Sequence, residues 1–336
     1  MNSKMYETLA TDLSIKPEAG KILFHTQGET PLCKERFFKI HGLNELINFE
    51  SIAPQLICFI DGGNAPILET PSQSCHLCRT CAVTFSQGAR TKTTQETFCV
   101  LSQLTKDHIT LKGYGKELFI AALSIQDPHL CQGKKPASAQ TAIELCRIIC
   151  ELDLAACEAK KIGPGGIIII EGDLSFFHPF AREAFERLKT AISASSSSLV
   201  AISKTTTSRT ETGTSAPQAL QALGPPGIWG YLLESTDGMH RIFSKLHPSS
   251  RHIFMLSSPH PFSDILLSRI TQASTDLAFP GYPYGLIVAD QLARVSASEQ
   301  EAASLILTTK ARKQDPSLSQ ALAGSDAHAI LDSMQY

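Results

Sequence analysis

The stretch that decides the fold is Gly163-Pro164-Gly165-Gly166-Ile167-Ile168-Ile169-Ile170-Glu171-Gly172-Asp173. Four consecutive β-branched apolar residues after a turn predict a strand that is buried on both faces, as in a parallel sheet. Apolar residues at helical spacing predict a helix over 139–160 before this strand and another over 179–194 after it. A further strand is predicted at 199–202. Strand, helix and strand in this order form the βαβ unit of an α/β fold.

A second apolar strand, Leu56-Ile57-Cys58-Phe59-Ile60, is followed by Asp61-Gly62-Gly63, and we expect it to end there. The runs at 76–85 and 96–104 are also typical of strands, with a polar turn over 86–95 between them. Three such strands in sequence predict an antiparallel meander. Later patterns predict strands at 228–234, 240–246 and 252–257, helices at 261–275, 284–296 and 299–312, a short helix near 6–13 and a mobile polar loop at 205–217.

Together these patterns predict an α/β fold with a mixed sheet, in which an antiparallel meander is joined to parallel strands. Helices flank the sheet, and additional strands and helices follow toward the C-terminus. The composition agrees, because the 336 residues are 43% hydrophobic and carry 30 Lys+Arg against 32 Asp+Glu, a net charge of -2. This balance excludes a disordered chain and a polybasic nucleic-acid coat, although a local basic groove is compatible with it.

The composition and the first residues also bear on the cellular compartment. No run of about 18 apolar residues is present, so no membrane span is predicted. The segment MNSKMYETLATDL lacks the apolar core of a secretory signal, and we therefore expect a cytoplasmic protein. The ten cysteines are then expected to be reduced thiols.

Three of these cysteines, Cys75, Cys78 and Cys81, recur at a spacing of three residues, which is typical of iron–sulfur or zinc loops. The segment continues into Ala82-Val83-Thr84-Phe85, which has the pattern of a strand. On a strand, Cys78 would point to the face opposite Cys75 and Cys81, which disfavours a shared metal. An iron–sulfur module stays an alternative hypothesis.

Acidic residues follow both buried strands, Asp61 after the first and Glu171 after the second. Two such carboxylates side by side repel each other unless a cation lies between them, and oxygen ligands suit Mg²⁺ or Mn²⁺. The helix between the strands adds Glu151, and a late helix adds Asp290. A meander, a helix with an acid, a strand with an acid and a late helix with an acid is the order of the RNase H-like fold, which clusters carboxylates for two-metal phosphoryl transfer.

Several segments over residues 50–300 resemble the NurA nucleases, partners of the HerA helicase-translocase in DNA end resection. The resemblance is carried, in order, by the segments 59–63 (FIDGG), 147–155 (RIICELDLA), 171–174 (EGDL), 201–204 (AISK) and 281–290 (GYPYGLIVAD). Glu171 stands where that family has aspartate, and Asp290 stands where it has histidine. Asp173 offers a substitute ligand if the strand register differs.

The resemblance implies that Asp61, Glu151, Glu171 and Asp290 hold two Mn²⁺ or Mg²⁺ ions. It implies that Lys204 offsets phosphate charge and that Tyr282 stacks on a base or orients a phosphate. DNA would be the substrate of a homodimer that docks on a hexameric HerA-type helicase. The chain would then divide into an N-terminal extension (1–50), a NurA-like nuclease domain (51–312) and a C-terminal tail (313–336). Arg251 and His252 form a small basic patch that suits backbone phosphates.

Two other interpretations stay open. The substitutions at 171 and 290 are compatible with a catalytically impaired adaptor that keeps the fold and the contact with the helicase. A phosphotransferase or metal hydrolase acting on a small phosphate ester could use the same fold, although segment 163–166 lacks the Lys-Ser/Thr of a phosphate loop.

Overall fold

The computed structural model describes residues 21–24, 28–45, 55–70, 72–117, 119–131, 133, 135–234 and 238–314. The strands in these ranges are β1 (Lys21–Phe24), β2 (Gly28–Pro31), β3 (Phe37–Lys39), β4 (Leu56–Glu69), β5 (Gln73–Ser86), β6 (Ala89–Leu104), β7 (His108–Tyr114), β8 (Phe119–Ser124), β9 (Ile167–Glu171), β10 (Ser198–Ser203), β11 (Arg209–Thr210), β12 (Trp229–Leu232), β13 (His240–Lys245) and β14 (Phe254–Ser258). The helices are α1 (Ala139–Ile162), α2 (Pro179–Ser195), α3 (Ala216–Leu223), α4 (Asp264–Ala273), α5 (Tyr284–Ala293) and α6 (Ala297–Gln314). The helix predicted near residues 6–13 lies outside the described residues.

The chain forms two compact units, each assembled from separate stretches of sequence. Unit 1 takes residues 1–54, 169–174 and 198–284, and unit 2 takes residues 55–168, 175–197 and 285–336. The boundary falls inside β9, between Ile168 and Ile169. The division into an extension, a nuclease domain and a tail, made from the sequence, stays a prediction.

Unit 1 contains a mixed sheet with the strand order β3-β12-β13-β14-β10-β9. The pairs from β3 to β10 are antiparallel. Gly172, directly after β9, donates its N–H to the carbonyl of Ile202 near the end of β10, at 3.1 Å. Both strands therefore end at the same edge of the sheet and run parallel, joined through α2. This is the strand–helix–strand unit that the isoleucine run predicts.

The core of unit 1 forms around aromatic side chains. Trp229 and Tyr231 on β12 are buried together with Phe243 on β13. The ring of Phe37 meets the rings of Trp229 and Tyr231 edge-on, with centroids 4.9 and 4.8 Å away. Edge-to-face contacts of this kind stabilise a core beyond the area that they bury.

Unit 2 contains an antiparallel meander in which β4, β5, β6, β7 and β8 are neighbours in chain order. The meander confirms the sequence prediction, but the polar turn predicted over 86–95 is wrong. The turn takes only Gln87 and Gly88, both at positive φ, and β6 begins at Ala89. Residues 89–95 are polar because most of them are exposed on the strand, not because they form a loop.

The prediction that the first strand ends at Asp61 is also wrong, because β4 continues to Glu69. Gly62 and Gly63 lie inside the strand. A Cβ at position 62 would collide with the carboxylate of Glu151, and one at position 63 would lie 2.6 Å from the carbonyl oxygen of Ala293. Glycine inside a strand commonly marks such a close approach.

The polar segment 205–217, expected to be a mobile loop, has defined structure. Its residues 209–210 form β11, which pairs with β1 in a small sheet of order β11-β1-β2. The N–H of Thr210 donates to the carbonyl of Thr214 at 2.7 Å, and the Thr210 hydroxyl accepts from the N–H of Thr214 at 3.1 Å. Threonine and serine stabilise turns through bonds of this type.

The predicted fold class is confirmed, since the structure is an α/β fold with a mixed sheet and flanking helices. The helix α1 begins at a capping box in which Ser138 and Thr141 exchange hydrogen bonds, and it ends at Gly163 with φ 76°. No helix within the described ranges is long and apolar enough to cross a membrane.

Candidate functional site

Asp61 lies in the interior of β4 and is only 6% exposed. Regular alternation along the strand places its side chain on the same face as Phe59 and Gly63. Cys81 is its partner across the β4–β5 pair. Burial, followed by the charge of Asp61, raises the pKa of the Cys81 thiol to about 11. The Asp61 carboxylate also accepts a hydrogen bond from the N–H of Gly62, at 2.8 Å.

Glu151 approaches the same point of β4 from α1, on the other face of the strand. Its carboxylate packs over Gly62, which has no side chain to exclude it. Glu151 therefore lies beside Asp61 along the strand, but β4 separates the directions of the two side chains. The carboxylates still interact electrostatically, because the charge of Asp61 contributes to the raised pKa of Glu151.

Arg147 joins the two elements that carry these acids. Its Nη1 donates to the carbonyl of Gly62 at 3.0 Å and also to Oε1 of Glu151. Its Nε donates to both carboxylate oxygens of Glu144 at 3.1 Å, and Nη2 bonds to Glu144 as well. The guanidinium thus links three groups, and it is a permanent cation inside the acidic site.

The charges of this cluster shift the pKa values of its members. Burial raises the pKa of Glu151 to about 7, and the nearby Asp61 and Glu144 charges act in the same direction against the opposing charge of Arg147. Burial also acts to raise the pKa of Glu144, but the hydrogen bonds and charge of Arg147 outweigh it, and this pKa is lowered. Of the two glutamates that Arg147 contacts, Glu151 therefore holds a proton more readily near neutral pH than Glu144 does.

Helix α5 lies along β4, on the face that carries Asp61. A Cβ at Gly285 would collide with the ring of Phe59, and the carbonyl of Ala293 lies against Gly63. Four strand residues and eight helix residues both span roughly 12–13 Å. The strand and the helix therefore run side by side in the same direction.

The alignment of α5 with β4 determines how far along the strand Asp290 lies. Asp290 lies five residues after Gly285, or roughly 7.5 Å along the helix, which corresponds to about two residues along β4 from Phe59. Asp290 and Asp61 therefore lie at similar positions along the axis of β4, on the same face of the strand. The Asp290 carboxylate forms an ion pair with Arg294 at 2.6 Å, one turn further along the helix.

A buried polar chain extends from Glu144 away from Arg147. Asn64 donates to Glu144 at 3.3 Å, and His76 bonds to the Asn64 side-chain oxygen at 2.9 Å and to Ser74 at 3.1 Å. Burial lowers the pKa of His76 to about 4, so its ring is neutral near pH 7. These bonds hold the Glu144 end of the cluster in place.

Unit 1 holds the other three residues to which the resemblance gives a role in catalysis. Glu171 is the last residue of β9, and Lys204 directly follows β10. Their side chains form an ion pair of 2.5 Å. The Lys204 ammonium also lies 5.7 Å from the centroid of the Tyr282 ring, within cation–π range. The ends of the two parallel strands therefore bring Glu171 and Lys204 together, and the ring of Tyr282 lies beside the ammonium.

The surroundings of Tyr282 bear on the role suggested for it. The residue is only 3% exposed, and its ring contacts the rings of Phe254 and Phe279, with centroids 5.2 and 6.1 Å away. A ring enclosed in this way packs against protein groups. It does not offer an open face on which a base could stack.

The described acidic side chains supply the oxygen donors that a divalent metal requires, but not in a closed group. Within the part of the chain that the structure describes, no group of three or more His, Cys, Asp or Glu side chains is placed to hold a metal ion. The carboxylate oxygens of Asp61 and Glu151 nevertheless suit a hard ion, and one or two carboxylates with water suffice for Mg²⁺. Asp61 thus offers an oxygen donor of the type that a hard ion prefers, whereas Glu151 is already bonded to Arg147.

The cysteine run lies on β5, as the strand pattern predicts. Cys78 faces α1, where burial and then the neighbouring Cys150 raise its pKa to about 12. Alternation places Cys75 and Cys81 on the opposite face. Cys75 instead contacts Cys99 on β6, and that hydrogen bond lowers the pKa of Cys99.

Sequence reasoning missed Glu144 and the role of Arg147. Both lie on the face of α1 that carries Glu151, at spacings of three and four residues, and this spacing was the available signal. What the sequence could not indicate was that the guanidinium also reaches a carbonyl of β4.

No protein-family model matches the sequence, and no curated protein matches it. Among solved structures, the NurA nuclease from Sulfolobus solfataricus matches with a TM-score of 0.53 and 13% identity, covering 78% of this chain and 85% of that one. The catalytic domain of human Endonuclease V matches with a TM-score of 0.42 and 12% identity, covering 78% and 89% of the two chains. The chain thus shares the fold of a NurA nuclease.

Proposed function

We propose that this protein is a metal-dependent nuclease that hydrolyses phosphodiester bonds in DNA. The observation that carries the proposal is the position of Asp61 on β4, beside Glu151 and level with Asp290. These acids come from the strand and the helices that the resemblance to NurA nucleases identifies. The fold shared with the NurA nuclease from Sulfolobus solfataricus supports the same assignment.

Each of these residues would have its own role in hydrolysis. Asp61 would hold a Mn²⁺ or Mg²⁺ ion through its carboxylate, on the face of β4 that α5 covers with Asp290, and Glu151 would act from the other face of the strand. A bound ion of this type supplies Lewis acidity and lowers the pKa of a water molecule. Glu151, with its raised pKa, can accept and release a proton near neutral pH. Lys204, oriented by Glu171, would offset the charge of the phosphate.

The finer form of the proposal follows the resemblance to NurA. The protein would act as a homodimer in the resection of double-strand breaks. A hexameric HerA-type helicase would be its partner. The ordered sequence segments support this assembly and this partner. The cleavage experiment tests the coarser nuclease assignment first.

The ion pair between Arg147 and Glu151 favours a second candidate function. A guanidinium that already neutralises Glu151 replaces one charge that a metal would otherwise supply. A chain built in this way could keep the fold without cleaving DNA and serve as an adaptor for the helicase.

Cleavage of labelled single- and double-stranded DNA with Mn²⁺ or Mg²⁺ separates the two candidates. We expect the wild type to cleave only with metal, and Asp61→Asn to lose at least about 100-fold in rate, as expected for loss of a main metal ligand. Asp107→Asn, in an exposed turn, is the matched control and should retain full activity. Equal cleavage by Asp61→Asn would contradict the nuclease proposal. No cleavage by the wild type, with a HerA-type partner also present, would favour the adaptor.

A further inference from the structure

Unit 1 contains an open cavity of about 450 Å³ beside the end of β10, lined by both polar and apolar residues. Lys204 lines it from the end of β10, Arg251 and His252 from the segment before β14, and Ser215 from the residue before α3. Ser203, Thr205 and Thr206 also line it, but the Ser203 hydroxyl already donates to the carbonyl of Gly172 and the Thr206 hydroxyl donates to Ser208. None of its twelve lining residues is acidic. Basic side chains in a lining without carboxylates make a site for an anion.

Arg251 is the strongest feature of this cavity. Its side chain is exposed, and it forms no hydrogen bond or ion pair with any residue that the structure describes. Lys204 differs, because its ammonium is already paired with Glu171. The planar guanidinium of Arg251 therefore has its donors available, and this group matches the oxygens of a phosphate in two-point hydrogen bonding.

An aromatic surface adjoins the cation. The ring of His252 stacks on the ring of Phe279, with centroids 5.1 Å apart and an angle of 20° between the planes. Phe279 is 39% exposed. Aromatic faces beside a basic groove bind bases of single strands by stacking, without regard to sequence.

We propose that this cavity binds a backbone phosphate of single-stranded DNA, with the adjoining base against Phe279. A volume of about 450 Å³ suits a ligand of nucleotide size. A base paired in a duplex would first have to leave its stack to reach Phe279, so the cavity favours single strands over duplexes. The inference rests on the proposed function in one respect, because it assumes that the phosphate belongs to the DNA substrate.

Fluorescence anisotropy of a labelled ten-residue oligothymidylate in EDTA tests the proposal without any cleavage. We expect Arg251→Ala to weaken binding about five- to tenfold at low salt. The slope of log K against log salt should become shallower by about 0.7, the value for one lost phosphate contact on a single strand. Arg251→Lys should keep the slope. Phe279→Leu should weaken binding with the slope unchanged, because it removes stacking and no charge.

Lys34→Ala is the matched control, since Lys34 is an exposed cation of unit 1 that does not line the cavity. Equal weakening by Lys34→Ala and Arg251→Ala would overturn the proposal, because it would reflect net charge alone. An unchanged salt slope in Arg251→Ala would overturn it as well.

Inorganic phosphate and duplex DNA distinguish the possible sources of the phosphate. Competition by inorganic phosphate as effective as that by unlabelled oligothymidylate, per phosphate, would identify a simple ion site and overturn the assignment to DNA. Equal affinity for a duplex of the same length would overturn the preference for single strands. Arg251-dependent binding without metal-dependent cleavage would uphold the cavity and contradict only the nuclease proposal.

Discussion

Arg147 and Glu151 form an ion pair across one turn of α1, at the point where Glu151 packs over the backbone of β4. The same guanidinium bonds to the carbonyl of Gly62, so one side chain ties the helix to the strand. A carboxylate with little solvent contact is normally stable only when a cation compensates it. Here the compensating cation belongs to the chain itself.

Replacement of Arg147 by methionine should therefore destabilise the protein and make its stability depend on metal. Loss of one partner from a largely buried pair costs about 3 kcal/mol or more, because the other charge is left uncompensated. Unfolding in urea would measure this loss in EDTA, and we expect Mn²⁺ to restore more stability to Arg147→Met than it adds to the wild type. Arg187→Met, which removes an exposed pair with Asp153, should cost less than about 1 kcal/mol. A response to Mn²⁺ equal in Arg147→Met and wild type would contradict metal binding at this cluster.

Gly62→Ala should destabilise the protein by about 1–3 kcal/mol, because the added methyl would occupy the space of the Glu151 carboxylate. Much of this cost should disappear in a Glu151→Ala background, so a double-mutant cycle should give a coupling of about 1 kcal/mol or more. Gly42→Ala is the control, since its nearest neighbour is 3.8 Å from the added Cβ. Strict additivity of Gly62→Ala and Glu151→Ala would show that the close approach does not determine the choice of glycine.

The raised pKa of Glu151 predicts a specific dependence of stability on pH. The folded protein keeps the Glu151 proton up to about pH 7, whereas the ordinary pKa of glutamate is 4.5. Folding therefore binds a proton in this range, and the stability contributed by this group falls as the pH rises from about 4.5 to 7 and then levels off. Urea unfolding in EDTA at pH 5 and pH 8 should show the wild type losing stability relative to Glu151→Gln, by roughly 2–3 kcal/mol between the two pH values. Parallel pH curves for the two proteins would contradict the raised pKa.

Lys204→Ala should separate stability from activity. The pair with Glu171 is partly exposed, at 40% and 32% of the two side chains, so its loss should cost less than about 1 kcal/mol. Under the proposed function, DNA cleavage should fall at least about tenfold, because a positive charge near the phosphate is lost. Thermal unfolding and initial cleavage rates measure the two effects. Lys189→Ala, which removes the exposed pair with Glu186, should change neither. Full cleavage by Lys204→Ala would remove Lys204 from the proposed machinery.

The parts of the fold that the sequence predicts are those set by neighbouring residues. The isoleucine run of β9 and the periodic pattern of α1 each report which face of an element is apolar, and both elements occur as expected. The predicted end of β4 was wrong because a contact with a distant part of the chain, and not the neighbouring residues, decides it. Asp61-Gly62-Gly63 has the local composition of a turn, and only the approach of Glu151, about ninety residues later, makes glycine the residue that fits a continuing strand.

The candidate site likewise combines features that short segments determine with features that depend on the tertiary structure. The sequence by itself determined the order of strands and helices and the residue types of the acidic set, because periodicity and chemistry are properties of short segments. Only the tertiary structure decided that Glu151 approaches β4 from the face opposite the Asp61 side chain, that Arg147 compensates Glu151, and that Arg251 borders a cavity without acidic lining residues. Each of these depends on packing between segments far apart in the chain, where distance, burial and charge are set by the fold as a whole.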